Sequence, residues 1–377
     1  MTSLNEGAQV ENTSKKKVVI LGGYGSFGSL ISQELVSSTA QIFVAGRNRK
    51  VGQPFARSIG AEFVQCDSQN ISSLEQAFTD AYLVINAAGP FQASDYTIPE
   101  TTIRLGCHYI DLGDGRNYVA NISKLHQAAQ RKNLFVCVGA STTPAVTSAA
   151  VIELQKQMPQ IQSIEIALNA GNKNPAGVST IASILSYVGV PVKVWQNQRW
   201  QTVNGWSQGQ FVNFPAPVGK RRVQLCDVPD LQLFPKRFDA SSVMFKAGVE
   251  ITLFNYAIAL LGQLKQVWPS VNLPRLSKPL VTLSQLFKSF GTLAGCCAVW
   301  VTDHQGEQRA IAFVAPSNGP RIPTAPAVLL SRKILDGFPF EPGAYPCVGF
   351  ITLDEYRTYL QPFGISINQG HNNVWLA

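Results

Sequence analysis

The sequence has few of the residues that build metal sites and disulfide frameworks. Its 377 residues include four histidines and seven cysteines, and no two cysteines are spaced as CxxC. An odd number of irregularly spaced cysteines does not indicate a disulfide framework, and so few histidines do not indicate a zinc site. Most of the cysteines lie in apolar runs, which is typical of a buried thiol. We therefore expect a cytoplasmic location, because the cytoplasm is reducing, and no metal.

The sequence also lacks an apolar segment of the usual membrane-spanning length. Ile251 to Leu264 is about 14 residues long, short of the roughly 20 that are needed, and Leu280 to Val301 is interrupted by Lys288, Gly291 and Gly295. Packing in the core is favoured for both segments, and a peripheral membrane or lipid contact is left open. Met1 to Ser14 has no apolar signal core, and residues 1–16 are predicted to be a disordered lead-in.

Charged residues are sparse and do not form long clusters. They make up 14% of the chain against 45% hydrophobic residues, which indicates a globular protein of two domains. The net charge is +8, but the largest basic runs are Lys15–Lys17 and Lys220–Arg222, so no nucleic acid partner is expected. The charge favours anions, such as a phosphorylated cofactor or an anionic membrane surface.

The most informative stretch is Lys17-Val-Val-Ile-Leu-Gly-Gly-Tyr-Gly-Ser-Phe-Gly28. It predicts a buried strand, a glycine turn and the start of a helix, which is the context that a dinucleotide-binding GxGxxG motif requires. Gly23 would allow the tight turn, Gly25 the approach of a pyrophosphate, and Gly28 the close packing of helix on strand. Tyr24, Ser26 and Phe27 complete the predicted cofactor loop.

The end of the second predicted strand favours NADP(H) over NAD(H). An NAD site usually places an acid about 20 residues after the glycines to bind the ribose hydroxyls, and here the next acid is Glu62. The chain instead offers Arg47 and Asn48, followed by Arg49 and Lys50. A guanidinium suits the 2′-phosphate of NADP. The alternative is that these residues form only a solvated helix start.

Two further strand ends are predicted to line the cofactor cleft. Asp67 follows the third strand and is expected either beside the adenine or as a helix cap. The fourth strand runs into a turn of small residues, and its backbone is expected to pass close to the cofactor. The residues of this turn are Ala87, Ala88, Gly89, Pro90 and Phe91.

The densest group of proton-handling side chains follows, at Gly106 to Gly115. Strand alternation puts Tyr109 and Asp111 on one face and His108 on the other. We expect Tyr109 and Asp111 to be catalytic, because a strand-end pair could orient a substrate or donate a proton beside a nicotinamide. The alternative is a core tyrosine with a hydrogen-bonded aspartate.

Strands and helices alternate about six times over residues 17–140, which predicts an α/β protein with a doubly wound parallel sheet. We place this Rossmann-type domain at residues 17–150. A second, α+β domain of mixed sheet and helices is expected at 151–317, with 215–240 as a loop. Residues 318–377 are expected to pack back on the first domain.

Five motifs occur in an order and spacing that resemble the saccharopine dehydrogenase-like (saccharopine reductase) family: GGYGSFG, VAGRN, INAAGPF, GCHYIDLGDG and GASTTPAVTS. The resemblance is specific over residues 17–150 and thinner beyond. It implies an NAD(P)-dependent oxidoreductase whose second domain covers the cofactor. A triply carboxylated saccharopine would need several converging cations, and the middle of this chain is largely apolar, more like relatives that act on lipid or polyketide chains.

The hypothesis from the sequence is therefore hydride transfer from NADPH to a small or lipid-like carbonyl, imine or enoyl substrate. The alternative is a catalytically silent cofactor-binding or lipid-associated scaffold. A thiol-redox enzyme using Cys296 and Cys297 is disfavoured, because adjacent strand residues point to opposite faces. The exposed sheet edges expected in the second domain leave a homodimer open.

Overall fold

The computed structural model describes residues 15–92, 94–174, 178–287, 289–372 and 374–376. Its first sheet is formed by residues 17–138 and one further strand from the C-terminal segment. Within these ranges, seven parallel strands lie in the order β15-β6-β5-β4-β1-β2-β3. The predicted lead-in at residues 1–14 lies outside the described residues. The strands are β1 (Lys17–Leu21), β2 (Gln41–Gly46), β3 (Glu62–Gln65), β4 (Leu83–Asn86), β5 (His108–Asp111), β6 (Phe135–Val138) and β15 (Gly343–Pro346).

Short apolar strands and amphipathic helices explain this arrangement. Every residue of β4 and β6 is buried, as expected for central strands that are covered on both faces. The connecting helices are α1 (Gly28–Leu35), α2 (Arg49–Ser58), α3 (Ile71–Phe78), α4 (Thr97–Leu105), α5 (Arg116–Ala120), α6 (His126–Arg131) and α7 (Thr147–Gln155). The predicted doubly wound parallel sheet is confirmed.

The second sheet is mixed, as predicted. Strand β12 runs parallel to β7, and the other strand pairs of this sheet are antiparallel. Its strands are β7 (Ile161–Ala170), β8 (Pro191–Gln196), β9 (Arg199–Asn204), β10 (Gln210–Asn213), β11 (Lys220–Leu225), β12 (Ser242–Val249), β13 (Gly295–Asp303), β14 (Gln308–Ala315), β16 (Ser366–His371) and β17 (Val374–Trp375). The remaining helices are α8 (Val178–Tyr187), α9 (Asp230–Arg237), α10 (Thr252–Val267), α11 (Ser277–Leu286), α12 (Arg321–Leu335) and α13 (Leu353–Leu360).

The prediction that residues 215–240 form a loop is wrong for most of the segment. That segment contains β11 and α9. Leu231 and Phe234, three residues apart, bury one face of α9 completely. The prolines and charges of the segment concealed this short amphipathic pattern.

The C-terminal segment contributes to both sheets. On the first-domain side, Glu34 of α1 pairs with Arg321 and Arg332 of α12, and β15 extends the first sheet beside β6. Beyond α13, β16 and β17 extend the second sheet beside β14. Residues 318–377 therefore join the two halves of the molecule.

The second sheet curls until the strands at its two ends meet. The indole Nε1 of Trp375 in β17 donates to the carbonyl oxygen of Asn213 in β10, at 2.9 Å. The concave side holds a small core of its own that includes Cys296, whereas Cys297 points into the main core. All seven cysteines are buried and free.

Candidate cofactor site and active-site cleft

The glycine loop lies where the strand order of the first sheet reverses, between β1 and β4. Gly22 has a φ of +74°, and a Cβ on it would lie 3.1 Å from backbone atoms of Ala87 and Ala88. The two predicted cofactor loops therefore touch through Gly22, a position that the GxGxxG motif does not include. The doubled glycine at 22 and 23 is the sequence signal that could have found it.

The motif glycines are required by close packing. A Cβ on Gly28 would lie 2.1 Å from the carbonyl oxygen of Gly22, and one on Gly23 would lie 2.8 Å from that of Ile20. The left-handed residue of the turn is thus Gly22, and Gly23 allows close backbone packing within the same turn. Gly25 and Ser26 are exposed. Among the described side chains none caps the start of α1 at Phe27, so the positive end of the helix is open to an anion.

Tyr24 connects this loop to the end of β2. Its hydroxyl accepts a hydrogen bond from the backbone N–H of Asn48, at 2.9 Å. Its ring lies against Gly46 and Gly52, where any Cβ would approach it to within 2.8 Å. Arg47 and Asn48 follow directly and are exposed, at the place where an adenosine ribose is held in this fold.

The remaining predicted cofactor residues lie along the same edge of the sheet. Asp67 is half-buried after β3, and its carboxylate accepts from the N–H of Gln69, at 3.1 Å, while Asn70 caps α3. Ala87, Ala88 and Gly89 are partly exposed, Pro90 is exposed and Phe91 is buried. The small residues from Ala87 to Pro90 are therefore accessible from solvent, and the chain enters the core at Phe91.

Tyr109 and Asp111 lie together but are fully buried. The Asp111 carboxylate accepts hydrogen bonds from the hydroxyls of Tyr118, at 2.5 Å, and Tyr109, at 3.0 Å. It also accepts from the backbone N–H groups of Gly113 and Gly139, both at 2.9 Å. Four donors surround one carboxylate, so the group joins the ends of β5 and β6 in a closed network.

The charge of this network is governed by burial. Burial raises the pKa of the Asp111 carboxyl to about 6, against the opposing effect of its four hydrogen bonds. Burial and the neighbouring carboxylate raise the pKa of Tyr109 well above its ordinary value. Neither side chain has an exposed surface from which to reach a substrate, and both are enclosed as the core alternative describes.

A second polar cluster lies between the two domains, and only its Asp114 falls in the stretch, Gly106 to Gly115, that the sequence singles out. Gln92 donates to Asp114, at 2.9 Å, and to Ser183 of α8, at 2.5 Å. Ser183 also bonds to Asp114, at 3.0 Å, and to the Tyr187 hydroxyl, at 2.5 Å. Asp114 and Tyr187 keep part of their surface exposed, and burial raises the pKa of each. The cluster follows β4 and β5, at the edge of the sheet that binds ligands in this fold.

Arg116 anchors the same interface. Its guanidinium donates to the carbonyl oxygen of Lys193, at 2.6 Å, to Asp227, at 3.0 Å, and to Gln232, at 3.1 Å. Its side chain is only 7% exposed, and it also lies over the ring of Trp200. This cation is therefore fully engaged in joining the domains.

Comparisons with known proteins agree with this geometry. Residues 18–137 match the family model described as the saccharopine dehydrogenase NADP binding domain. A search of curated proteins found no match. Among solved structures, apo saccharopine dehydrogenase (L-Glu forming) from Saccharomyces cerevisiae superposes with a TM-score of 0.66 at 13% identity, covering 94% of this chain and 99% of that one. GenD2 from gentamicin A biosynthesis, in complex with NAD, has 12% identity and a TM-score of 0.45, covering 96% and 95%.

The fold, the glycine loop and the family match thus indicate a nicotinamide dinucleotide-binding domain. Residues 18–137 match the saccharopine dehydrogenase NADP-binding domain family, and the whole chain resembles saccharopine dehydrogenase in fold, which confirms the predicted resemblance. These findings support an NAD(P)-dependent oxidoreductase with a small-molecule substrate. Within the described residues, no helix is both long and apolar enough to span a bilayer.

Proposed function

We propose that this protein is an NADPH-dependent reductase acting on a carbonyl, imine or enoyl group of a small or lipid-like molecule. A bound NADPH would supply the hydride, and the acceptor would also take up a proton. The observation that carries the proposal is the glycine loop, whose exposed Gly25 and Ser26 lie at the uncapped start of α1.

Arg47 and Asn48 support NADPH over NADH. Both are exposed directly after β2, and the Tyr24 hydroxyl holds the backbone of Asn48 at 2.9 Å. Arg47 in this position would pair with a 2′-phosphate, and no carboxylate follows β2 to bind a free ribose hydroxyl. We further propose that Asp67 lies near the adenine, and that Ala87 to Pro90 face the nicotinamide half.

For the reacting end we assign Tyr109 and Asp111 a positioning role, since both are fully buried and hydrogen-bonded to each other. Tyr187, which keeps part of its surface exposed and whose hydroxyl is hydrogen-bonded to Ser183, is the better placed residue to deliver a proton. Arg116, which follows Asp114 of this cluster in the chain, is engaged in the domain interface and is therefore not available to bind a substrate carboxylate. That supports a substrate without several carboxylates.

Thermal unfolding of the whole protein with NADPH, NADH or neither tests the proposal. A nucleotide at about 100 times its dissociation constant adds about 2.7 kcal/mol, which raises the melting temperature by several degrees. We expect a larger shift with NADPH than with NADH, and Arg47→Ala should reduce only the former. Arg57→Ala, at the exposed end of α2, is the matched control. No shift with either nucleotide would refute the proposal.

A scaffold that binds NADPH without turnover is the second candidate, and the enclosure of Tyr109 and Asp111 favours it. NADPH oxidation measured with a panel of aldehydes, cyclic imines and enoyl thioesters separates the two. Turnover that Tyr187→Phe abolishes, at unchanged NADPH affinity, would establish the reductase. Tight NADPH binding with no turnover across the panel would establish the scaffold.

A further inference from the structure

Helices α10 and α11, together with the turn between them, form a helical hairpin (252–286) with an unusually apolar surface. Large hydrophobic side chains are seldom left exposed in clusters on soluble domains. Among the described residues, 21 large hydrophobic side chains are exposed, and 12 of them lie between Leu253 and Leu293. The exposed apolar side chains are therefore concentrated in this part of the described chain and are not spread evenly over its surface.

The large apolar side chains that α10 exposes lie on one face. Leu253, Tyr256, Leu260, Leu264 and Val267 are exposed by 70%, 49%, 56%, 41% and 69%. At about 100° per residue they span only about 80° of the helix circumference. The buried residues Asn255 and Gly262 lie on the opposite side, and Ile258 and Leu261 pack against the main core, so the helix turns this exposed apolar face away from the protein.

The hairpin is held in this orientation at its base. The Glu250 carboxylate accepts hydrogen bonds from the backbone N–H groups of Asn172 and Thr292, both at 2.8 Å, and pairs with Arg221 at 3.0 Å. Asn255 bonds back to the N–H and carbonyl oxygen of Val249. The chain leaves the second sheet after Glu250 and returns at Thr292, and the Glu250 carboxylate holds these two ends together. The orientation of the exposed face is therefore fixed at the base of the hairpin.

The charges around this face are basic, apart from Glu250 at the base of the hairpin, which is paired with Arg221. Residues 251–294 contain no aspartate or glutamate, and neither do residues 210–226, which lie beside α10. Arg275 and Lys278 are exposed in the hairpin. Next to it, Arg222 lies over the ring of Tyr256, at 4.3 Å, and Lys220 lies over the half-exposed Phe211, at 5.1 Å. Apolar side chains rimmed by cations are complementary to an anionic lipid surface.

We propose that the helical hairpin (252–286) docks in the plane of an anionic membrane, with the exposed face of α10 entering the boundary between headgroups and acyl chains. Trp268, 60% exposed at the end of α10, suits that boundary. A second copy of the chain fits less well, because two basic surfaces would repel each other. The turn (Leu273–Leu276) and α11 of the hairpin also pack on α8, which carries Ser183 and Tyr187, so α8 connects the hairpin to the cleft.

Flotation of the full-length protein with vesicles tests the proposal. We expect binding to phosphatidylcholine vesicles that contain about one third phosphatidylglycerol, weak binding to phosphatidylcholine alone, and a loss of binding as salt rises from 0.1 to 0.5 M. The Leu253→Glu/Leu260→Glu variant should lose binding at least tenfold. Arg275→Gln/Lys278→Gln should lose about tenfold, on anionic vesicles only.

The matched control is Ile71→Glu, which changes a side chain exposed by 52% in the first domain and should bind as the wild type does. The NADPH-induced thermal shift of every variant reports separately on the cofactor site, so failure here leaves the proposed reductase untouched. Absence of vesicle binding by the wild type would overturn the proposal. The proposal would also be overturned if the wild type formed a concentration-dependent dimer in sedimentation velocity and did not bind vesicles, and if Leu253→Glu/Leu260→Glu abolished that dimer.

Discussion

The hydroxyl of Tyr24 accepts a hydrogen bond from the backbone N–H of Asn48, at 2.9 Å. This bond joins the loop that would cradle the pyrophosphate to the residues that would bind the 2′-phosphate. The ring can lie there only because positions 46 and 52 are glycine, since a Cβ at either would overlap it. The geometry of the two phosphate-binding parts is therefore coupled through a single side chain.

Replacing Tyr24 by phenylalanine should keep the ring in place and remove this bond. We expect the dissociation constant of NADPH, measured by nucleotide fluorescence titration, to rise about fivefold, because one neutral hydrogen bond contributes about 1 kcal/mol. Tyr82→Phe is the control, since its hydroxyl bonds to Ile334 on the far side of the domain. Equal affinities of wild type and Tyr24→Phe would show that the bond does not order the site.

Two glycines of the loop should respond differently to alanine. A Cβ on Gly28 would lie 2.1 Å from the carbonyl oxygen of Gly22, so Gly28→Ala should lower the melting temperature of the free protein. A Cβ on Gly25 would meet only the Gly22 oxygen, at 3.1 Å, and the residue is exposed. Gly25→Ala should therefore melt near the wild type but lose most of its NADPH-induced shift. A full shift in Gly25→Ala would exclude close approach of the pyrophosphate there.

The first domain could be predicted from the sequence because its signals are local. Val18 to Leu21 is a buried apolar strand, the glycines follow at fixed spacing, and strands alternate with helices up to residue 140. Parallel strands joined by such crossovers have few alternative arrangements. In the second domain, α9 was missed because Pro235 and its charged neighbours hide a short helix that only tertiary burial of Leu231 and Phe234 explains.

The polar cluster of the cleft could not be predicted because its members are distant in sequence. Gln92 and Asp114 belong to loops of the first domain, whereas Ser183 and Tyr187 belong to α8, about 70 to 90 residues further along. The alternation of side chains along β5 correctly placed Tyr109 and Asp111 on the same face of the strand. It could not show whether that face is exposed to solvent or buried. The second tyrosine, Tyr118, closes the network around Asp111 from a helix that follows the strand.

Arg116 offers a test of how the domains are joined. Arg116→Ala would leave the half-buried Asp227 carboxylate and the Gln232 amide without this partner. We expect the unfolding free energy to fall by about 2 to 3 kcal/mol, somewhat below the cost of breaking a fully buried ion pair. Arg116→Lys should recover only part of this loss, because an amine cannot reproduce the guanidinium fork. Urea unfolding measures both, and an unchanged midpoint in Arg116→Ala would contradict the role.

Asp111 makes a prediction about pH. Its pKa is raised from the ordinary 3.8 to about 6 by burial, so the native state binds the proton more tightly than the unfolded chain. Its contribution to stability is therefore fully present below about pH 4 and is lost as the pH rises through about 6. At about 1.4 kcal/mol per pH unit, the loss amounts to about 3 kcal/mol.

Asp111→Asn should remove this dependence and keep the fold. The amide oxygen can still accept from the N–H groups of Gly113 and Gly139, and its NH₂ can donate to the Tyr109 and Tyr118 hydroxyls. Urea unfolding from pH 4 to 8 should show the wild type losing about 3 kcal/mol relative to the variant. Asp111→Leu, which leaves both N–H groups unpaired, should be destabilised at every pH. Parallel pH profiles for wild type and Asp111→Asn would show that the carboxyl does not titrate in this range.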